Sequence, residues 1–197
     1  MPFGALRTKK HYMTEAEKSR ENYLRVTTVL YPFSGLDKID PGIVDRAAKR
    51  GTKVHRICEA IASGLGEHGV DDECRGFVNS FKKWFESGID IVEIERRFWD
   101  DEFHITGQVD FIIRLADGSL AIVDLKTSSK VSKTWKAQGS AYAYLARRAG
   151  FDIRHIMFVH LSKTGGNAKV YSYPVDDAFF FSIYNTYKYF YHKEANG

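Results

Sequence analysis

Two apolar runs carry ionisable groups where a strand interior should have none. GQVDFIIRL holds Asp110, and AIVDLKTSS holds Asp124 and Lys126. Apolar and β-branched residues flank these groups, and ADGS at residues 116–119 supplies a turn between the runs. The segment therefore predicts a β-hairpin. Side chains on a strand alternate, so Asp124, Lys126 and Ile122 share one face while Ala121, Val123 and Leu125 take the other. A strand apolar on both faces is a buried one. A carboxylate and an ammonium held there need a paired or metal-bound partner, because an uncompensated charge leaves water at great cost. A structural ion pair at a strand end and a metal site both meet that need.

Two helical segments bring polar company. In RGTKVHRICEAI (residues 50–61) His55 and Glu59 are four apart and share a helix face, and in SKTWKAQGSAYAYLARR (residues 132–148) so do Gln138 and Tyr142. The order is a helix with His, a hairpin with Asp and Asp-x-Lys, then a helix with Gln-x-x-x-Tyr. That order resembles the RecB-like branch of the PD-(D/E)XK nuclease superfamily, including its phage-type and mitochondrial-type exonucleases, over roughly Val26 to Val175. Asp-x-Lys alone is a weak signal, since any acidic strand end matches it; the specificity lies in four elements in sequence. Gly107 matches the family's G-x-x-D and predicts a tight bend before the strand. Val109 stands where the superfamily's name has proline, a residue that RecB-like members commonly lack.

The resemblance implies a restriction-endonuclease-like fold and a DNA exonuclease that uses Mg2+ or Mn2+, acting on single-stranded or frayed ends in replication, recombination or repair. Asp110, Asp124, Lys126 and Gln138 would be catalytic. His55, Asp110, Asp124 and the Leu125 backbone carbonyl would hold the metal, a donor set suited to hard divalent cations and, through the imidazole, to manganese. Lys126 would hold the attacking water and offset phosphate charge, and Gln138 would reach toward water or substrate. Tyr142 would contact backbone or base. Glu59 would orient His55 or Arg50, or else form a surface ion pair, and Glu95 fills a position where relatives carry an acid, or else pairs with neighbouring arginines. Lys49, Arg50, Lys53 and Arg56, with Lys130, Lys133 and Lys136, form basic runs suited to phosphates. Trp135 is a stacking candidate and equally a core residue. Within the same class, a flap or junction endonuclease is the alternative; outside it, a non-catalytic DNA-binding module of the same fold.

Composition narrows the rest. Lys+Arg minus Asp+Glu is 29 − 25 = +4, mildly basic and compatible with DNA as partner. The two cysteines cannot hold an iron–sulfur cluster, and a zinc site from His55, Cys58, His68 and Cys74 fits no common spacing. No P-loop or G-x-S-x-G elbow occurs. Neither a membrane span nor a signal peptide is apparent, which leads to an expectation of a cytoplasmic, intracellular protein.

The chain reads as one domain over residues 1–197, α/β in class, with an αβββαβ core and additional N- and C-terminal helices. A flexible arm over residues 1–13 precedes a helix from Thr14 to Leu24, and Thr27 or Thr28 caps a short helix through Phe33. Asp40-Pro41 starts a helix that runs to Ala62 and breaks or turns near Gly51. Asp71 or Asp72 starts another, to Phe85. Strands follow at Ile89–Trp99, His104–Leu115 and Leu120–Lys126, then a helix at Lys133–Ala149, strands at Ile153–Leu161 and Ala168–Val175, and a final helix at Asp176–His192 whose Phe180, Tyr184, Tyr187 and Tyr191 form a packing stripe.

Overall fold

A computed structural model describes residues 22–191. The predicted arm, most of the helix from Thr14, and His192 lie outside them. Leu24 and Arg25 do not end a helix; they form β1 (Leu24–Arg25), parallel to a later strand. Helix α1 (Val26–Leu30) follows at once, with Arg25 at its N-cap and no side-chain cap, so Thr27 and Thr28 lie inside the helix rather than before it. Burial of Val26, Val29 and Leu30 fixes it instead.

Helix α2 (Pro41–Ala62) is capped as the sequence suggests, the Asp40 carboxylate accepting from the Ile43 N–H at 3.0 Å. It runs unbroken through Gly51. A mid-helix glycine costs only about 1 kcal/mol, and here the missing side chain has a use, since a Cβ would lie 3.2 Å from Thr127 Oγ1. Helix α3 (Asp72–Phe85) is capped by Asp71 through the Cys74 N–H. Cys74, Phe77, Val78 and Phe81 form its buried stripe, with a spacing of three and four residues.

Strands β2 (Asp90–Asp100), β3 (Ile105–Arg114) and β4 (Leu120–Lys126) form an antiparallel meander. Helix α4 (Trp135–Arg148) crosses to β5 (Ile153–His160), parallel to β4, and β6 (Lys169–Tyr173) pairs antiparallel to β5 before α5 (Asp177–Phe190). The fold is a mixed six-stranded sheet with helices on both faces. Helices α1, α4 and α5 cover one face around Val109, Ile112, Ile122 and Phe158. Helices α2 and α3 cover the other around Phe111, Ile113, Val123 and Leu125. Among the described residues no helix is long and apolar enough to cross a membrane.

Two irregularities in β3 position everything that follows. First, β4 pairs with β3 only from Phe111↔Val123 to Arg114↔Leu120, and β1 takes the same edge only at Ile105 and Thr106. The stretch between, residues 107–110, faces a gap. Second, Ile105 and Val109 belong to one core and Phe111 and Ile113 to the other, although all four have the same parity. Strict alternation therefore breaks at Asp110. Across the ladder stands Glu95, with φ +51°, a left-handed value rare in a strand.

Gly107 has a different reason from the bend expected of it. It sits inside β3, and a Cβ there would lie 2.7 Å from the Tyr142 ring and 3.0 Å from Leu145 of α4. Its bareness lets α4 lie close to the strand. Gly107→Ala should therefore overpack a buried contact and lower unfolding free energy by about 1–3 kcal/mol. Urea denaturation of the two proteins checks this, and an unchanged midpoint would refute the account.

Candidate active site

Where β3 and β4 separate, Asp110 takes over the hydrogen bonding that the ladder gives up. Its Oδ2 accepts the Leu125 N–H at 2.6 Å, and its Oδ1 lies 3.0 Å from His55 Nδ1 on α2. Asp124 turns to the other face, toward α4. Gln138 Nε2 donates to Asp124 Oδ1 at 3.1 Å and lies 3.1 Å from the Tyr142 hydroxyl, while Lys126 Nζ donates to Gln138 Oε1 at 2.9 Å. Lys126 Nζ is also 2.7 Å from Asp124 Oδ2, yet that oxygen is buried without a well-aligned hydrogen bond. Beneath the ammonium lie the faces of Phe158 at 5.2 Å and Trp135 at 5.9 Å.

Glu95 joins this group. Its carboxylate accepts from Gln108, which in turn accepts from Arg97. Donor atoms of His55, Glu95 and Asp110 lie within 4.8 Å of one another. The Leu125 carbonyl faces the same gap: Leu161 N–H bonds the Lys126 carbonyl, and successive carbonyls on a strand point to opposite edges.

The charges are out of balance. Burial pushes Glu95 up to about 7, helped by the nearby Asp110 and Glu59 carboxylates. Burial also raises Asp124, against the pull of Lys126. Burial opposes the His55 imidazolium, but the Asp110 carboxylate outweighs it and lifts His55 to about 9. Asp110 goes below its usual range despite burial, because His55 and the Leu125 N–H favour the anion. The His55 imidazole with the Glu95 and Asp110 carboxylates, and the Asp124 carboxylate near enough to feel Asp110, fit a hard divalent cation.

The remaining sequence candidates are placed differently. Tyr142 is buried, its hydroxyl beside Gln138, and has no route to a base. Trp135 is 3% exposed and stacked on Phe158, so it supports Lys126 and is closed to incoming rings. Glu59 is not the His55 Nδ1 partner, a place that Asp110 holds; burial raises its pKa while Arg56 lowers it. Arg50 stacks over Phe77 at 5.4 Å, away from Glu59, and lines a cavity with Lys130. Lys133 is exposed, whereas Lys49, Lys53 and Lys136 are engaged by Asp45, Asp71 and Asp176. Cys58 and Cys74 are buried core residues rather than zinc ligands, and His68 bonds the Leu65 carbonyl. Glu95 is weakly marked in the sequence because its signal, a left-handed residue inside a strand, is conformational.

Known proteins resemble this chain in sequence profile and in fold. The sequence profile of the PD-(D/E)XK nuclease superfamily matches residues 42–178. No curated protein sequence matches the chain. Among solved structures, one from Eubacterium rectale described as a candidate exonuclease aligns at TM-score 0.54 and 13% identity, covering 91% of this chain and 84% of that one. SSO0001 aligns at TM-score 0.47 and 15% identity, covering 89% and 76%. LHK-Exo in complex with dAMP aligns at TM-score 0.36 and 10% identity, covering 85% of each.

The electrostatics make a prediction for metal-free protein. Glu95 rises from 4.5 to about 7 and His55 from 6.5 to about 9, so between pH 4.5 and 9 the folded chain holds protons that the unfolded chain has released. Stability in chelator is then fullest below the unfolded values and falls as pH rises through the folded ones. Thermal melts in EDTA should show the midpoint dropping across that range, less steeply in His55→Gln, and Mg2+ should restore it at the alkaline end. A pH-independent midpoint would contradict this assignment.

Proposed function

The chain belongs to the PD-(D/E)XK nuclease superfamily, whose members use divalent metals, and from this we propose that it is a Mg2+- or Mn2+-dependent deoxyribonuclease, an exonuclease acting on single-stranded or frayed DNA ends. The observation that carries the reading is the convergence of His55, Glu95 and Asp110 with Asp124, Lys126 and Gln138 where β3 and β4 part. An ion pair serving stability alone would need only Lys126 and Asp124 and would not gather a second and a third acid beside an imidazole.

In this reading His55, Asp110, Asp124 and the Leu125 carbonyl would hold the cation, and Glu95, whose carboxylate lies with the His55 imidazole and the Asp110 carboxylate, would add a ligand. Bound there, a divalent cation lowers the pKa of water, orients the phosphate and neutralises charge developing on it. Lys126 orients the attacking water and offsets phosphate charge; its compact ammonium suits that role better than a guanidinium would. Gln138 is a positioning residue. Its Oε1 accepts from Lys126 and its Nε2 donates to Asp124, so one amide fixes two groups relative to each other. Tyr142 braces that amide in turn. Arg97 acts at one remove, through Gln108 on Glu95.

Two substitutions test the proposal. Asp124→Asn and Lys126→Ala should each lower Mg2+-dependent cleavage by about 100-fold or more while DNA binding in chelator persists. The substrates are end-labelled single-stranded, blunt and tailed DNAs beside a closed circle. Degradation of linear DNA with sparing of the circle supports an exonuclease. Nicked or linearised circles would replace that with an endonuclease, and wild-type protein that binds DNA but cuts nothing with either metal would leave only a binding module.

A further inference from the structure

Thr127, the residue after Lys126, lines a cavity of about 510 Å³ that the chemistry above does not use. Arg50 of α2, Lys130 after β4, Lys163 after β5 and Lys169 at the start of β6 all line it, and no Asp or Glu does. Among the described residues about half of the other cations are paired with carboxylates, as Lys49 is with Asp45, Lys53 with Asp71, Lys136 with Asp176, Arg147 with Asp177 and Arg154 with Asp152. Among the described residues these four have no carboxylate partner. Like charges gathered round one hollow repel one another, and an anion entering it would relieve that repulsion.

Three details mark the cavity as built. Arg50 Nε is buried and has no hydrogen-bond partner, an unsatisfied donor that itself carries a penalty. The guanidinium is held by its stacking over Phe77. The two loops that form the rim are tethered: His160 Nε2 lies 2.5 Å from the Ser128 carbonyl, and Lys83 Nζ donates to the Gly165 carbonyl at 2.7 Å. Thr127, directly after Lys126, and Ser129 add hydroxyls to the lining. A basic concavity with hydroxyl donors is the chemistry of phosphate oxygens.

We propose that this cavity is a second phosphate subsite, which holds a phosphate group of the nucleic acid next to the one being cleaved. The inference rests on the nuclease reading and extends it, because Thr127 follows Lys126 and a strand engaged at one continues into the other. An internal phosphodiester and a phosphate monoester at a chain end offer the same oxygens, so the test must separate them.

Lys163 and Lys169 are exposed, and Lys163→Ala with Lys169→Ala should leave the fold intact, as melting curves will check. Binding of a fluorescein-labelled oligothymidylate is measured by anisotropy in EDTA over a range of salt. Relative to wild type, the double variant should bind roughly tenfold more weakly at low salt, and its log–log salt slope should shrink by about 0.7 for each phosphate left without its cation. Arg50→Ala should weaken binding in the same way, while Arg154→Ala, at the opposite end of β5, should match wild type. In turnover with Mg2+, KM should rise by a similar factor and kcat should move less. Defects confined to oligonucleotides with a terminal phosphate identify a monoester site; equal defects on hydroxyl-ended and circular single strands identify a diester site. If wild type binds and the double variant binds with the same affinity and slope, the subsite is refuted and the nuclease reading stands. If wild type neither binds nor cuts any of these DNAs, both fall together.

Discussion

The bond from the Leu125 N–H to Asp110 Oδ2 is the hinge of this structure. In the register of the β3–β4 ladder, the rung after Phe111↔Val123 would set Asp110 opposite Asp124. Two carboxylates facing each other directly repel, and pairing stops at that rung. A strand end that simply frayed would leave the Leu125 N–H buried and unsatisfied, since Leu125 itself lies in the core. The Asp110 carboxylate replaces the missing backbone acceptor at 2.6 Å, so the strands can separate without leaving that donor bare. The space opened by the separation is the candidate active site.

Separation also divides the site between two supports. His55, Glu95 and Asp110 ride on α2 and the β2–β3 hairpin. Asp124, Lys126 and Gln138 ride on the β4–α4–β5 crossover. Asp110 reaches the α2 face and Asp124 the α4 face, so the site runs through the sheet rather than lying on one side of it. Few direct bonds join the halves, and the acids between them repel. A cation shared by both would convert that repulsion into a link, so occupancy and rigidity should rise together.

Much of this is legible in the sequence because it is local. The caps at Asp40 and Asp71, the stripe on α3, and the shared face of Asp124 and Lys126 follow from chemistry within a few residues. The failures are of another kind. Gly51 reads as a helix break when propensity is weighed without the tertiary contact at Thr127. Thr27 and Thr28 read as caps, but the helix starts two or three residues earlier, at Val26, which is buried. Trp135 between lysines suggests a platform for bases, yet its ring fills the core beneath Lys126, and only the packing of α4 on β5 decides between the two. Glu95 differs from these: the sequence offers it as a candidate, but its place beside His55 and Asp110 depends on a left-handed φ and a change of facing at Asp110, and neither leaves a mark in residue type.

The distribution of charge extends the same logic from the site to its surroundings. A net charge of +4 says little, because opposite charges can be placed to cancel or to concentrate. Here the surface lysines near α2 and α5 cancel against local aspartates, at an energy that for exposed pairs is small. The concentration lies elsewhere, in buried carboxylates at the strand gap and in partnerless cations in the adjoining cavity. Each collection is unfavourable by itself, and the two stand side by side with opposite sign. A polyanion bridged to the acids by a divalent cation would relieve both at once, if its phosphates met the metal at one end and the arginine and lysines at the other. On that reading metal and phosphate would each bind more tightly in the presence of the other.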